Sequence, residues 1–187
     1  MFNELLTYDK ELLIYLNNLG ENQFNSFWVY VTSFIYWVPL LLFIFYKIYK
    51  KFPKPKAKFM IGYGILILLF SLLLVELVKI GVERIRPCND PTVAPFINII
   101  IKPENYSFFS GHATVSFALT TYLFLLLKKS FYWIRFLYIW PILFIYSRLY
   151  FGVHYPSDIL TGMVIGIFIG IAFHRICNAC IAKLRIY

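Results

Sequence analysis

Apolar residues run along this chain in stretches too long and continuous for the alternation of a half-buried strand or the one-sided stripe of a soluble helix. Four such stretches stand at 27–46, 59–82, 113–127 and 159–173, and a fifth at 132–150 is interrupted by Arg135 and Pro141. Each approaches the roughly 20 residues a helix needs to cross about 30 Å of hydrocarbon, the shorter ones by borrowing flanking residues. The pattern predicts an all-α, polytopic transmembrane helix bundle with about five spanning helices. The beginning differs: Leu5, Leu12, Leu13, Leu16 and Leu19 recur at helical spacing, with Asp9 placed as an N-cap and Gly20 as a stop. This stretch is too short and polar to span and lacks the leader pattern of a signal peptide, so it predicts an amphipathic helix lying in the membrane interface, a disordered tail being the alternative. The connections are short, with no repeat or linker. The chain therefore reads as a single domain over residues 1–187, made of an amphipathic segment 1–24, a transmembrane core 25–176 and a cytoplasmic tail 177–187.

Composition agrees. Of the 187 residues, 60% are hydrophobic and only 14% charged, too little polar surface for a soluble domain of this size. Charge then orients the bundle. With five spans, Lys47, Lys50, Lys51, Lys54, Lys56 and Lys58 fall on one side together with Lys128, Lys129, Arg135, Arg175, Lys183 and Arg185, which is 12 of the 18 Lys and Arg. The positive-inside rule makes that side cytoplasmic. The net charge of +9 is thus mostly a topology signal, and with no continuous basic recognition face the chain is not expected to bind nucleic acid.

Unusual residues gather on the opposite side, in three blocks. Lys79 and Arg86 are two helical turns apart at the outer end of the second stretch, and Pro87 is expected to end that helix. Snorkelling to the interface is the plain alternative for Lys79. Glu76 and Glu83 share that face and are placed to neutralise the cations, Glu76 being read as a structural pairing partner. Ser110-Gly111-His112 stands where the third stretch begins. Ser110 suits an N-cap, Gly111 permits close backbone approach, free amides at a helix N-terminus bind phosphate oxygens, and His112 is placed to give a proton to a leaving oxygen. In the third block Arg148 closes the fourth stretch, His154 lies in the turn 151–156, and Asp158 opens the fifth. A carboxylate on one imidazole nitrogen fixes the tautomer and leaves the other nitrogen as a nucleophile. Gly162, Gly166 and Gly170 continue below Asp158 at four-residue steps, a stripe that lets another helix approach and also reads as simple packing.

Taken together, the three blocks resemble the type 2 phosphatidic acid phosphatase superfamily, whose signature runs Lys-x6-Arg-Pro, Pro-Ser-Gly-His, then Ser-Arg-x5-His-x3-Asp. Lys79 through Arg86-Pro87 and Ser147-Arg148 through His154 and Asp158 fit without gaps, and the middle element departs only at Phe109 in place of proline. The resemblance implies His154 as nucleophile forming a phosphohistidine, Asp158 orienting it and His112 as general acid. Lys79, Arg86, Arg148, Ser110 and the Gly111 amide would hold the phosphate oxygens. It further implies a bacterial inner-membrane phosphatase with its site facing the periplasm or cell exterior. The substrate would be a lipid monoester or diphosphate such as undecaprenyl diphosphate, phosphatidylglycerophosphate, phosphatidic acid or lipid A. Membrane members of the family usually have six spans, and here the N-terminal amphipathic segment stands where the first would be.

No cofactor and no metal are expected: Glu76, Glu83 and Asp158 are interspersed with cations and form no oxygen cage for magnesium, and fixed cations do the work a metal does elsewhere. His174, Cys177 and Cys180 are one ligand short of a structural zinc site, and a helix tail of small residues accounts for them better. Cys88 lies on the outer side and the other two cysteines on the inner, so no disulfide is implied. The competing readings are phosphotransfer from the lipid to another acceptor on the same constellation, and a non-enzymatic transporter or assembly protein that kept an anion site.

Overall fold

The computed structural model describes residues 2–19 and 24–185. Among them are seven α-helices and no strand: α1 Phe2–Asn18, α2 Asn25–Thr32, α3 Val38–Lys51, α4 Lys54–Val82, α5 Gly111–Leu127, α6 Ile139–Tyr150 and α7 Pro156–Lys183. The helix α5 is apolar all round, and it is accordingly the central one, packed against α4, α6 and most extensively α7. The main core lies at its C-terminal half, around Leu119, Tyr122, Leu123, Ile134 and Trp140. The polar residues singled out above are carried at its N-terminal end.

By length and composition, α4 and α7 suffice to cross a membrane, and α2 with the 34–51 segment is apolar enough only as a pair bent by 67°, the form of a broken span or of a re-entrant loop. The remaining two expected stretches are helical but shorter. At 1.5 Å per residue the 17 residues of α5 reach only about 25 Å, and α6 has 12 residues preceded by a 3-10 segment, Tyr132–Tyr138. The 27–46 stretch is thus not one straight helix. Ser33 is extended (ψ 116°), Phe34–Trp37 form a 3-10 turn, and Pro39 has no N–H with which to continue the ladder. The Trp37 indole instead donates to the Val31 carbonyl at 2.9 Å.

The N-terminal amphipathic helix is present as α1, but two of its expected details change. Leu13 is fully buried against Val93 and Tyr155, while Leu5, Leu12 and Leu19 stay exposed, so one face of α1 docks on the outer end of the bundle. Asp9 is no N-cap of its own helix, since α1 already runs from Phe2; its carboxylate accepts from the Ser157 N–H at 2.8 Å and caps α7 instead. Gly20 lies outside the described residues. Asn17 completes the docking: its amide donates to the carbonyls of Tyr150 at 2.7 Å and Leu149 at 3.1 Å and accepts from the Asn98 N–H at 2.7 Å.

The glycine stripe fits α7 against α5. A Cβ added at Gly162, Gly166 or Gly170 would stand 2.7, 2.5 and 2.6 Å from the backbone oxygens of Ser110, Thr114 and Ala118. None of those backbone atoms can move without moving the helix. Gly166→Ala should therefore destabilise the protein by about 1–3 kcal/mol. Gly62→Ala, which meets nothing within 4 Å, should be neutral or gain up to about 1 kcal/mol from helix propensity. Thermal unfolding in detergent separates the two; equal Tm values would contradict the close packing.

Candidate active site

Four helix ends and one connecting segment converge at the N-terminal end of α5. Ser110 caps that helix, its hydroxyl accepting from the Ala113 N–H at 3.4 Å, and its own N–H donates to the Asp158 carbonyl at 3.1 Å. That bond ties the amides opening α5 to the first turn of α7. His112, one residue into α5, packs on the Phe144 ring with centroids 4.7 Å apart and hydrogen-bonds the Thr32 carbonyl.

Lys79 is only 6% exposed on α4 and pairs with the more open Glu76 at 3.6 Å, as the spacing suggested. Glu83 does not join them. It takes the left-handed conformation (φ 52°) that closes α4 at Val82, four residues before the expected stop at Pro87. Arg86 therefore stands in extended chain rather than two turns along the helix face. From there its guanidinium donates to the Asn105 carbonyl and side-chain oxygen, both at 2.7 Å, and to the Val153 carbonyl at 2.8 Å. Arg148, in the last turn of α6, is equally buried and donates to the Thr32 hydroxyl at 2.6 Å.

His154 is 1% exposed in the turn between α6 and α7. Its Nε2 lies 3.2 Å from Arg86 Nη1. A guanidinium has no acceptor, so Nε2 must offer its lone pair, and the tautomer inferred from this network carries its proton on Nδ1. Nδ1 faces Asp158 Oδ2 at 3.5 Å, and the same oxygen accepts from the Tyr155 N–H at 3.0 Å. Burial, then the nearby charges of Arg86, Arg148 and Lys79, push the His154 pKa well below the ordinary imidazole value. The ring is a neutral base with a free electron pair directed at the cations.

All eight residues expected from the sequence, His154, His112, Asp158, Lys79, Arg86, Ser110, Gly111 and Arg148, are thus brought to one end of α5. Glu76, Lys79, Gly111 and His112 also line a cleft of about 420 Å³ together with the apolar side chains of Phe34, Leu68, Leu72, Val75, Val115 and Phe144. Several partners were not foreseen: Asp9, Arg84, Asn105 and Ser107. The Ser107 hydroxyl donates to the Arg84 carbonyl at 3.2 Å. Their positions depend on chain returns of 19 to 148 residues, which no local spacing reveals. At the far end His174 lies 3.0 Å from Asn178 rather than joining Cys177 and Cys180, and no group of metal-binding side chains occurs among the described residues. The three cysteines are free thiols.

The chain is similar to several known proteins. The chain is 29% identical over 190 residues to a lipid A 4'-phosphatase of Bacteroides thetaiotaomicron, covering 99% of this chain and 84% of that protein. It is 31% identical over 166 residues to an undecaprenyl-diphosphatase of Sulfolobus acidocaldarius, covering 88% and 68%. The transmembrane PAP2 type phosphatidylglycerolphosphate phosphatase of Bacillus subtilis superposes with a TM-score of 0.74 at 20% identity over 95% of this chain and 88% of that one, so the fold is shared. The family model matches residues 60–182, a range that takes in the whole cluster from Lys79 to Asp158, and the chain belongs to the PAP2 superfamily.

Proposed function

We propose that this single-domain membrane protein is a lipid phosphatase that cleaves a phosphomonoester or diphosphate through a phosphohistidine at His154. The cleft carries the reading. Its lining is mostly apolar along the flank of α4, where Leu72 is 47% exposed, and its polar members are the Lys79–Glu76 pair, Gly111 at the start of α5 and His112, which suits an amphiphile with a phosphate headgroup. The names of the related proteins support a phosphorylated lipid as substrate.

In this mechanism Lys79, Arg86, Arg148, Ser110 and the Gly111 amide hold the non-bridging oxygens, and Arg86 turns its donor from Nε2 to the phosphate. The Nε2 electron pair then forms the N–P bond while the bond to the leaving oxygen breaks, and His112 supplies that oxygen's proton. Asp158 stabilises the imidazole as positive charge develops. Water next attacks phosphorus, His112 accepts its proton, and the N–P electrons return to Nε2 as phosphate leaves. The charge that a metal would supply comes from fixed side chains.

Purified protein should release free phosphate from at least one of lipid A, undecaprenyl diphosphate, phosphatidylglycerophosphate and phosphatidic acid. His154→Ala should abolish release, and acid-labile, alkali-stable phosphate should be trapped on His154. Turnover by the alanine variant at the normal rate would remove the covalent mechanism, and phosphate found on a second acceptor would mean transfer rather than hydrolysis.

The acid limb of kcat/KM should lie below about pH 6.5, because the free enzyme's nucleophile is kept neutral by burial and three cations. Protonation removes the electron pair, so the rate falls as pH drops through the lowered pKa. A limb at or above the ordinary imidazole value would contradict this environment.

The lysine-rich turn at 47–58 and the C-terminal ends of α5 and α7 lie at the opposite end of the bundle from the site, and with the positive-inside rule this supports a site on the outer face of a bacterial inner membrane. Cys88 is fully buried and reports nothing. In a background freed of the native cysteines, Asn89→Cys should react with a membrane-impermeant thiol reagent in intact cells and Lys183→Cys should not. The reverse pattern would turn the enzyme inward.

A further inference from the structure

Arg84, outside the three motifs, forms ion pairs with two carboxylates, Asp9 and Asp158. Its Nη1 donates to Asp158 Oδ1 at 2.5 Å and to the Ser157 hydroxyl at 2.7 Å, its Nη2 donates to Asp9 Oδ2 at 2.7 Å, and its plane lies 4.1 Å from the Tyr155 ring. Asp9 also accepts from the Ser157 N–H and hydroxyl. Three elements remote in sequence, α1, the segment after α4 and the first turn of α7, thus meet on the Arg84 guanidinium, which holds the carboxylate that faces the imidazole.

We propose that Arg84 and Asp9 are positioning residues for the reaction: Arg84 bridges the carboxylates of Asp9 and Asp158 and fixes the rotation of Asp158, and Asp9 keeps Arg84 from neutralising Asp158 alone. The proposal rests on the reading of His154 as nucleophile. A guanidinium is a planar fork that satisfies two carboxylates at once, which an ammonium does not. With Asp158 Oδ1 held by Arg84, Oδ2 is left for the Tyr155 N–H and His154 Nδ1; rotation about Cβ–Cγ would take it from both. Charge matters equally. Arg84 with Asp158 alone would be a closed ion pair with little negative potential left for a developing imidazolium. With Asp9 the three groups together carry one net negative charge. A role for Asp9 limited to fastening α1 is less economical, because Asn17, Leu13 and the Lys10–Asp90 ion pair at 3.1 Å already do so.

The groups facing His154 are Lys79 on α4, Arg86 after it, His112 on α5, Arg148 on α6 and Asp158 on α7, with Arg84 and Asp9 acting through Asp158. Removing Asp9's negative charge makes His154 harder to protonate, and removing Arg84's positive charge makes it easier. Asp9→Asn should therefore move the acid limb of kcat/KM to lower pH and Arg84→Gln to higher pH. Each should lower kcat about 10–100-fold, the range for partners that orient a reacting group, with KM within about twofold. Arg84→Lys should fail to restore the rate, and Asp9→Glu should restore part of it. Asn17→Ala, which loosens α1 without changing charge, should lower Tm and leave the limb in place. NMR titration of His154 in the detergent-solubilised protein reads the same two opposite shifts without turnover. If wild type is active and His154→Ala is dead, yet Asp9→Asn and Arg84→Gln keep the normal kcat and an unmoved limb, the positioning role is wrong and the nucleophile stands. Limbs that move in one direction for both variants, or that move equally in Asn17→Ala, overturn it as well. No phosphate release by wild type from any of the four lipids overturns both readings.

Discussion

Because α7 lies so close to α5 that a Cβ on any of three glycines would strike backbone, the two helices have almost no freedom to slide. Everything at the outer end inherits that fixed register. The Ser110 N–H meets the Asp158 carbonyl, so the amides at the start of α5 and the carboxylate in the first turn of α7 share one frame. A leucine seam would have allowed about the same apolar burial with looser registration, since lipid itself competes for apolar contacts and association then depends on close packing. Small residues give up side-chain area and gain backbone proximity, and at this end of the bundle proximity is what orients His154 against Asp158.

The second constraint is electrostatic. Lys79, Arg86 and Arg148 are each 6% exposed or less, and taking such ions from water costs several kcal/mol apiece. Their protein partners are mainly neutral: carbonyls for Arg86 and a hydroxyl for Arg148, with Glu76 the one acidic partner, on Lys79. Among the described residues Arg148 Nε has no hydrogen-bond partner. The cluster is therefore undercompensated among them, as the proposed binding of a phosphate dianion requires. Asp158 does not cancel this field, because Arg84 and the Tyr155 N–H engage it from behind. Burial and then the same field hold the His154 pKa low, so in the proposed mechanism a single arrangement of cations both attracts the anion and preserves the nucleophile.

What the sequence made legible was whatever obeys a local rule. Continuous apolar runs marked the helices, four-residue glycine steps marked the close contact, and the Ser110 N-cap followed from its place before an apolar run. The chemistry-bearing blocks were legible because charge is costly among such runs. Prolonged helicity was over-read twice. Pro87 looked like the stop of α4, but Glu83 turns left-handed first and sends Arg86 into extended chain; the run at 27–46 looked straight, but Ser33 and Pro39 break it. Asp9 was misplaced for a different reason. An Asp amid helical spacing reads as a cap of its own helix, and only the tertiary return of the chain shows that the helix it caps begins at Pro156. Arg84 and Ser107 obey no spacing rule and emerge only from packing.

The break at Ser33 also decides how an amphiphile reaches the site. A straight helix through 25–46 would carry Thr32 and Phe34 past α5 at a fixed angle of 100° per residue, on one rod. The 67° bend instead turns the Thr32 hydroxyl and carbonyl inward, onto Arg148 and His112, and leaves Phe34 on the cleft wall opposite Leu68 and Leu72. Meanwhile the segment above is pinned: Asn89 donates to the Pro103 carbonyl, Ser107 to Arg84, and Asn98 to Asn17 of α1. In the proposed function the cleft between α4 and the bent pair is the way in for a headgroup, since its lining runs from Phe34, Leu68 and Leu72 to Lys79 and His112. On that reading the apolar lining accommodates an acyl or prenyl chain without selecting it, and discrimination between lipids falls to the headgroup.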